Sequence, residues 1–141
     1  MVGRLVVDSS ALIDYLLGGS PRSPFASVFR DGDLHVPEVC DVEIVSALRR
    51  PVLAGALSAH SMQLLLLDYA ELPLRRHRHM RLVGRAFELR DNFSAADAMY
   101  VALAERLDAS LATADRGLAR ATRFHTSLEV IPLSSSSRPS G

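Results

Sequence analysis

The chain has 141 residues, of which 48% are hydrophobic, and its formal net charge at pH 7 is zero. That length suits one domain with a substantial buried core, and a neutral chain has no overall attraction to nucleic acids or membranes. No apolar run approaches the roughly 18 residues of a membrane span, and the N-terminus lacks the pattern of a secretory signal. We therefore expect a soluble, cytoplasmic protein in which any contact with phosphate is local or carried by bound cations.

Two residue counts exclude several classes of function. The single cysteine, Cys40, rules out an internal disulfide framework and a cysteine-ligated zinc site, and we expect it to be a small buried hydrophobic residue. The sequence contains no lysine, so every strong base is an arginine. This excludes phosphate-loop NTPases and Schiff-base chemistry. It also argues against a response-regulator receiver domain, which needs a lysine near its last strand.

Short apolar segments alternate with helical patterns along the first half of the chain. Strands are predicted over 3–7 and 34–36, and helices over 11–17, 25–29, 38–50 and 58–70. Pro37 is expected at the start of the helix 38–50, and Pro51 is expected to end it. A further strand over 71–74 is expected near a sheet edge because it contains Pro73.

The second half continues this alternation. It predicts a basic amphipathic helix over 77–90 with Met80, Val83 and Phe87 inward, then helices over 94–107 and 118–122 and strands over 110–114 and 129–133. Short strands that alternate with helices predict a three-layer α/β/α domain with a short, mainly parallel central sheet. We expect this domain to span residues 1–133. The serine-rich tail, 134–141, has nothing to bury and is predicted to be disordered.

Three acids stand out because they begin a helix or follow a strand. Ser94 and Asp97 have the spacing of a capping box before an apolar helix, and Asp115 directly follows a short apolar strand. Asp8 follows the first strand in the same way. Ligands of open parallel sheets bind outside the carboxyl ends of the strands, so we expect Asp8 and Asp115 to face one crevice.

Glu43 is a fourth acid in an unusual position. It shares a stripe with Cys40 and Ala47 on an apolar helix and is expected to face a polar pocket. Each acid also has a purely structural interpretation, as a helix cap or, for Glu43, as a surface residue. If the four converge, two charges 4 Å apart cost about 4 kcal/mol at an effective dielectric near 20, so the cluster needs protonation or a cation. Hard oxygen ligands favour Mg²⁺ or Mn²⁺, which suits phosphodiester hydrolysis.

Three segments resemble the conserved blocks of the PIN-domain ribonucleases, in particular the VapC-type toxins of bacterial toxin–antitoxin pairs. They are VVDSSALID, PEVCDVEIVSAL and FSAADAMYVALAERLDASLATADRGL, and together they cover most of the chain. The resemblance implies a metal-dependent endoribonuclease toxin that uses Mg²⁺, or Mn²⁺ in its place, and that is repressed by a small VapB-type antitoxin. It also implies a homodimer, for which the apolar helices 58–70 and 25–29 are candidate surfaces.

The resemblance also indicates the site residues. The family's acidic quartet falls on Asp8, Glu43, Asp97 and Asp115. Asp8 and Asp97 would be the main metal ligands, whereas the other two acids would bind through water, hold a second metal or orient the attacking water. Ser10 and Thr113 match the family's hydroxyl positions, which would hold a carboxylate or a water. Arg116, next to Asp115, is a candidate contact for substrate phosphate.

Some alternatives stay open. The basic run Arg75 to Arg81 is either a contact for the RNA backbone, or a solvated helix start or partner interface. The same acids also suit another metal-dependent phosphoesterase, such as a phosphatase or a DNA nuclease. A non-catalytic interaction module that keeps the acids only for folding is the remaining interpretation.

Overall fold

The computed structural model describes residues 3–18 and 24–133, with only the backbone described for 24–26. The serine-rich tail lies outside these residues. The strands are β1 (Arg4–Val7), β2 (Asp33–Pro37), β3 (Leu74–His77), β4 (Ser110–Thr113) and β5 (Val130–Pro132). The helices are α1 (Ser9–Gly18), α2 (Pro24–Asp31), α3 (Val39–Leu53), α4 (Ala59–Glu71), α5 (Val83–Glu88), α6 (Ala95–Leu107) and α7 (Arg116–His125).

The five strands form one sheet in the order β3-β2-β1-β4-β5, and each neighbouring pair is parallel. The connections from β1 through β2 to β3 advance toward one edge, whereas those from β3 to β4 and on to β5 run the other way. Right-handed crossovers therefore place α1 to α4 on one face of the sheet and α5 to α7 on the other. The predicted three-layer α/β/α architecture is confirmed.

The core lies where the central strand meets α6. Val6 and Val7 of β1 are fully buried, as expected for a strand covered by helices on both faces. Six residues of α6 are also buried: Ala98, Tyr100, Val101, Ala102, Leu103 and Ala104. Cys40 is a free, fully buried thiol in this core, which confirms the prediction for it. Among the described residues, no helix has the length and apolar character needed to cross a bilayer.

Local capping signals fix both ends of α6. The Ser94 hydroxyl accepts a hydrogen bond from the Asp97 amide at 3.2 Å, so the predicted N-terminal cap is present. At the other end Asp108 has φ 52° and lies in the left-handed region. The amides of Asp108 and Ala109 then bond to the carbonyls of Glu105 and Ala104, which is a Schellman arrangement. Because α6 leads directly back to the start of the parallel strand β4, its N-terminus lies toward the carboxyl edge of the sheet.

The prediction of a long basic helix over 77–90 was wrong. Residues 74–77 form the edge strand β3, so the strand predicted over 71–74 lies three residues later than expected. Within the predicted helix only residues 83–88 are helical. The backbone of β3 is satisfied by its parallel ladder with β2, which the local sequence does not reveal. Met80, Val83 and Phe87, expected inward, are 82%, 43% and 66% exposed.

The two proline predictions around α3 were also wrong. Pro37 is the last residue of β2 rather than the first of a helix, and Pro51 lies inside α3, which continues to Leu53. Pro51 is tolerated because it lies in the last turns, where its missing amide costs one hydrogen bond. Its own carbonyl accepts from the amides of Ala56 and Leu57, so the end of the helix remains well bonded.

Candidate active site

The four predicted acids lie around the point where the strand order reverses. β1 and β4 are neighbours, but their onward connections run to opposite edges, and such a switch point opens a crevice at the carboxyl ends of the strands. Asp8 directly follows β1, and Asp115 begins α7 after β4. Asp97 lies in the first turn of α6, and Glu43 lies on α3. The crevice therefore receives one acid from each of four segments.

Asp8 is the buried member of this group, with 4% of its surface exposed. Its carboxylate accepts hydrogen bonds from the Thr113 hydroxyl at 2.6 Å, the Ser10 hydroxyl at 2.8 Å and the Ala11 amide at 3.0 Å. Burial raises the pKa of Asp8 to about 6, even though these hydrogen bonds lower it, and the negative charge of Asp115 raises it further. The protein thus fixes this carboxylate in place but makes its charged form costly.

The remaining acids interact with one another electrostatically. Burial raises the pKa of Asp97, and the negative charges of Asp115 and Glu43 add to that effect. Asp115 also acts on Asp8, so the four carboxylates share one electrostatic environment. Such mutual repulsion is the condition under which a bound cation becomes favourable.

Ser10 and Thr113, which were expected to hold a carboxylate or a water, bond to Asp8 and also link the ends of β1 and β4. The Ser10 hydroxyl accepts from the Ala114 amide at 3.1 Å and lies 3.3 Å from the Thr113 hydroxyl. The Thr113 hydroxyl donates to Asp8 and accepts from the Asp115 amide at 3.0 Å. The Asp115 side chain in turn accepts from the Leu118 amide at 3.0 Å and caps α7. The structural interpretation of Asp115 as a helix cap is therefore correct, but one oxygen remains for other partners.

Tyr100 is a site residue that sequence reasoning missed. Its buried hydroxyl donates a hydrogen bond to Glu43 Oε1 at 2.7 Å, across 57 residues of sequence. Burial, together with Cys40 and the charge of Glu43, raises the pKa of Tyr100, so the hydroxyl stays protonated and remains a donor. The sequence did contain a sign of this role: Tyr100 follows Asp97 by three residues, a spacing that places both side chains on one face of α6.

The donor set suits a hard divalent cation. Carboxylate and hydroxyl oxygens are the ligands that Mg²⁺ and Mn²⁺ prefer. Within residues 3–18 and 24–133, however, no three acidic, histidine or cysteine side chains are arranged to hold a metal ion among them. The residues therefore fit a cation bound through few direct carboxylates with several waters retained, which is the usual way in which proteins bind Mg²⁺.

Three adjoining grooves run past two of the acids, Asp115 and Glu43. The largest, of about 520 Å³, has Thr113, Asp115 and residues of α7 in its lining. It meets a second groove, of about 360 Å³ along α1, at Ala114. The second shares Ser9 and Ala47 with a third, which contains Glu43 and Arg50. A chain-like substrate that followed these grooves would pass both Asp115 and Glu43.

The basic run at 75–81 is mostly engaged within the protein. Arg76 forms a bidentate ion pair with Asp41, and Arg75 lies 3.6 Å from Asp33. His77 Nε2 lies 2.8 Å from His35 Nδ1, and His79 Nε2 accepts from the Val39 amide. These contacts join β3 to β2 and α3, so the structural interpretation of this run is favoured. Arg116, in contrast, is exposed and lines the groove beside Asp115.

Comparisons with known proteins agree with this geometry. The PIN domain family model matches residues 5–123. Ribonuclease VapC12 of Mycobacterium tuberculosis is 32% identical over 127 residues, 90% of this chain and 98% of the relative. VapC ribonuclease Mb0985 of Mycobacterium bovis is 37% identical over 128 residues, 91% of this chain and 98% of the relative.

A solved structure shows the same fold at lower sequence similarity. The crystal structure of PAE2754 from Pyrobaculum aerophilum superposes with a TM-score of 0.67 at 19% identity, over 91% of this chain and 83% of that one. The family model covers most of the chain, and the curated relatives match over nearly their whole length. The chain therefore belongs to the PIN-domain family, among the VapC-type members.

Proposed function

We propose that this protein is a metal-dependent endoribonuclease that acts as the toxin of a toxin–antitoxin pair. The observation that carries the proposal is the cluster of four electrostatically coupled carboxylates at the switch point of the sheet. The grooves on either side of it offer a path for a polymer. The matched relatives are named as ribonucleases, which supports RNA as the substrate.

The chain's own groups have distinct tasks in this proposal. Asp8 and Asp97 would hold Mg²⁺ or Mn²⁺ directly, and Glu43 and Asp115 would contact its waters, hold a second ion or orient the attacking water. When bound, the cation supplies a water of lowered pKa and neutralises charge that develops on the phosphate. Ser10 and Thr113 fix the Asp8 carboxylate, and Tyr100 fixes Glu43. Arg116, which lines the groove beside Asp115, would contact a substrate phosphate.

Metal removal tests the proposal. Purified protein is incubated with total cellular RNA, single-stranded DNA and a small phosphoester, each with Mg²⁺, with Mn²⁺ or with EDTA. We expect discrete RNA fragments with either metal, at least about 100-fold less cleavage in EDTA, and restoration when Mg²⁺ is added back. Cleavage that persists in EDTA would contradict the metal requirement. Turnover of DNA or of the small ester alone would favour the alternative phosphoesterase.

The proposed toxin binds two partners: a VapB-type antitoxin and a second copy of the chain. Leu64 and Leu67 on α4 are 51% and 64% exposed, and Val42 and Val45 on α3 are 63% and 58% exposed. Adjacent exposed apolar side chains of this kind mark interaction surfaces. We expect a homodimer at micromolar concentration on a sizing column with light scattering, and a monomer after Leu64→Glu with Leu67→Glu. A wild-type chain that elutes as a monomer would refute the homodimer.

A further inference from the structure

The groove along α7 combines an apolar floor with a cationic rim. Ala119 and Leu133 are buried and form part of its floor, together with Ala114 and Pro132. Its rim carries three exposed arginines and an exposed aromatic ring: Arg116, Arg120, Arg123 and Phe124. At about 520 Å³ it falls within the range of small-ligand sites, roughly 300–1,000 Å³. Asp115 is the one acid of the lining, so the three arginines leave the groove with a net positive charge that suits a ligand with a flat apolar part and negative charge.

The three arginines of this groove, unlike Arg76 and Arg85, form no ion pair in the described part of the chain. Arg76 pairs with Asp41, and Arg85 pairs with Glu88 and Glu105. In the described part of the chain, by contrast, no carboxylate pairs with any of the three groove arginines. Their spacing of four and three residues places them on one face of α7, in a stripe about 10 Å long. Their charge is therefore available to an external anion.

Phe124 extends this stripe with a ring that packing does not explain. It is 81% exposed, although large apolar side chains are normally buried. Its ring makes an edge contact with His125 at 4.8 Å between centroids, and His125 makes a similar contact with Phe93 at 6.2 Å. With 81% of the side chain exposed, most of the Phe124 ring remains accessible to an external partner. An exposed aromatic ring beside unpaired arginines is the arrangement that single-stranded nucleic acids use for stacking.

We propose that the α7 groove is a nucleotide subsite for single-stranded RNA, in which Phe124 stacks on the base of a nucleotide flanking the scissile bond and Arg120 and Arg123 bind its phosphates. The inference rests on the proposed function, because the groove begins at Thr113 and Asp115. Only an unpaired base has a free face to stack, so the subsite selects single-stranded segments or loops. A second copy of the chain fits poorly there, since it would bring two arginine stripes together.

Binding without cleavage tests the subsite. The full-length protein is titrated in EDTA with a fluorescent single-stranded oligoribonucleotide, and anisotropy is recorded over a range of salt concentrations. Loss of one base–aromatic stack predicts roughly 5- to 150-fold weaker binding for Phe124→Ala, and Phe124→Trp should restore it. Arg120→Ala and Arg123→Ala should each lower the slope of log K against log salt by about 0.7, the contribution of one phosphate on a single strand.

Matched controls separate this subsite from nonspecific effects. Phe87, 66% exposed on α5, and Arg106, at the opposite end of α6 from Asp97, lie outside the groove, so Phe87→Ala and Arg106→Ala should bind as the wild type does. Thermal denaturation should show unchanged folding for the Phe124 variants because the side chain is exposed. Equal affinity of Phe124→Ala and wild type for RNA would overturn the inference. Binding of an acidic peptide in place of RNA would also overturn it.

The outcome also separates this inference from the proposed function. If the wild type cleaves RNA but Phe124→Ala binds it and cleaves it unchanged, the subsite is refuted and the nuclease stands. If RNA binds through Phe124 but is never cleaved with any metal, the proposed function fails and the subsite stands.

Discussion

Replacing Asp97 with asparagine is expected to lower RNA cleavage by about a thousand-fold at saturating Mg²⁺. A metal-assisted site stabilises the transition state by several kcal/mol, and a loss of roughly 4 kcal/mol corresponds to about 10³ in rate. The variant should remain folded, because the hydrogen bond that caps α6 is donated to the Ser94 hydroxyl by the backbone amide of Asp97, which the substitution keeps. Initial rates on a short fluorogenic RNA measure the effect.

The neighbouring sequence supplies a control for that experiment. Asp91 is an exposed acid in the turn that precedes α6, so Asp91→Asn should cleave RNA at the wild-type rate. Tyr100→Phe should have an intermediate effect on the rate of RNA cleavage. It removes the hydroxyl that donates to Glu43 and that also contacts the Cys40 thiol, and loss of such an indirect contact to the site costs about 10- to 100-fold. An Asp97→Asn variant within tenfold of wild type would show that this carboxylate does not act in the reaction.

The parts of this site that the sequence predicted are those with local signals. An apolar run followed by an acid marks the carboxyl end of a buried strand, and this is how Asp8 and Asp115 were placed. Ser94 and Asp97 carry a capping pattern within four residues, and α6 begins there. Glu43 was conspicuous because an acid interrupts an apolar stripe. In each case the residues that form the sequence pattern lie within one strand or about two turns of helix.

The parts that the sequence did not predict depend on contacts between distant residues. Residues Arg75 to His77 look like a helix start, yet they form an edge strand because β2 offers a ladder and because Asp41 and His35 bind two of their side chains. Those partners lie 35 and 42 residues away. Tertiary context of this kind overrides local propensity. The contact between Tyr100 and Glu43 is hidden for the same reason.

Asp8→Asn is expected to have two opposite effects, because Asp8 is buried and ionised at neutral pH. Its pKa rises from 3.8 in the unfolded chain to about 6 in the fold. Each unit is worth about 1.4 kcal/mol, so ionised Asp8 costs the metal-free protein on the order of 3 kcal/mol above pH 6. The amide removes that cost, its oxygen can still accept from the Ala11 amide, and its other partners are the Ser10 and Thr113 hydroxyls, which can either donate or accept. In EDTA at pH 7.5 we expect the variant to be about 1–3 kcal/mol more stable to urea than the wild type.

The dependence on pH has a defined sign. A carboxylate whose pKa is raised by folding binds more protons in the native state than in the unfolded state between pH 4 and 6. The destabilisation of the wild type by ionised Asp8 is therefore absent below about pH 4, grows as the pH rises to about 6, and is constant above that. The stability advantage of Asp8→Asn should shrink accordingly when the same unfolding experiment is run at pH 4.5. Asp68→Asn, at an exposed position on α4, should show no such change.

Adding Mg²⁺ should reverse the order of stability of the wild type and Asp8→Asn. A cation that binds only the folded state stabilises the protein by RT ln(1 + [L]/Kd), about 2.7 kcal/mol at a hundred times Kd. Wild type should gain this stabilisation from Mg²⁺ at pH 7.5, whereas Asp8→Asn should gain almost none and should also lose RNA cleavage. An Asn variant that is less stable than wild type in EDTA would show that Asp8 is kept for folding. Higher stability in EDTA combined with lost metal response would instead mean that the fold retains a costly buried charge because the site requires it.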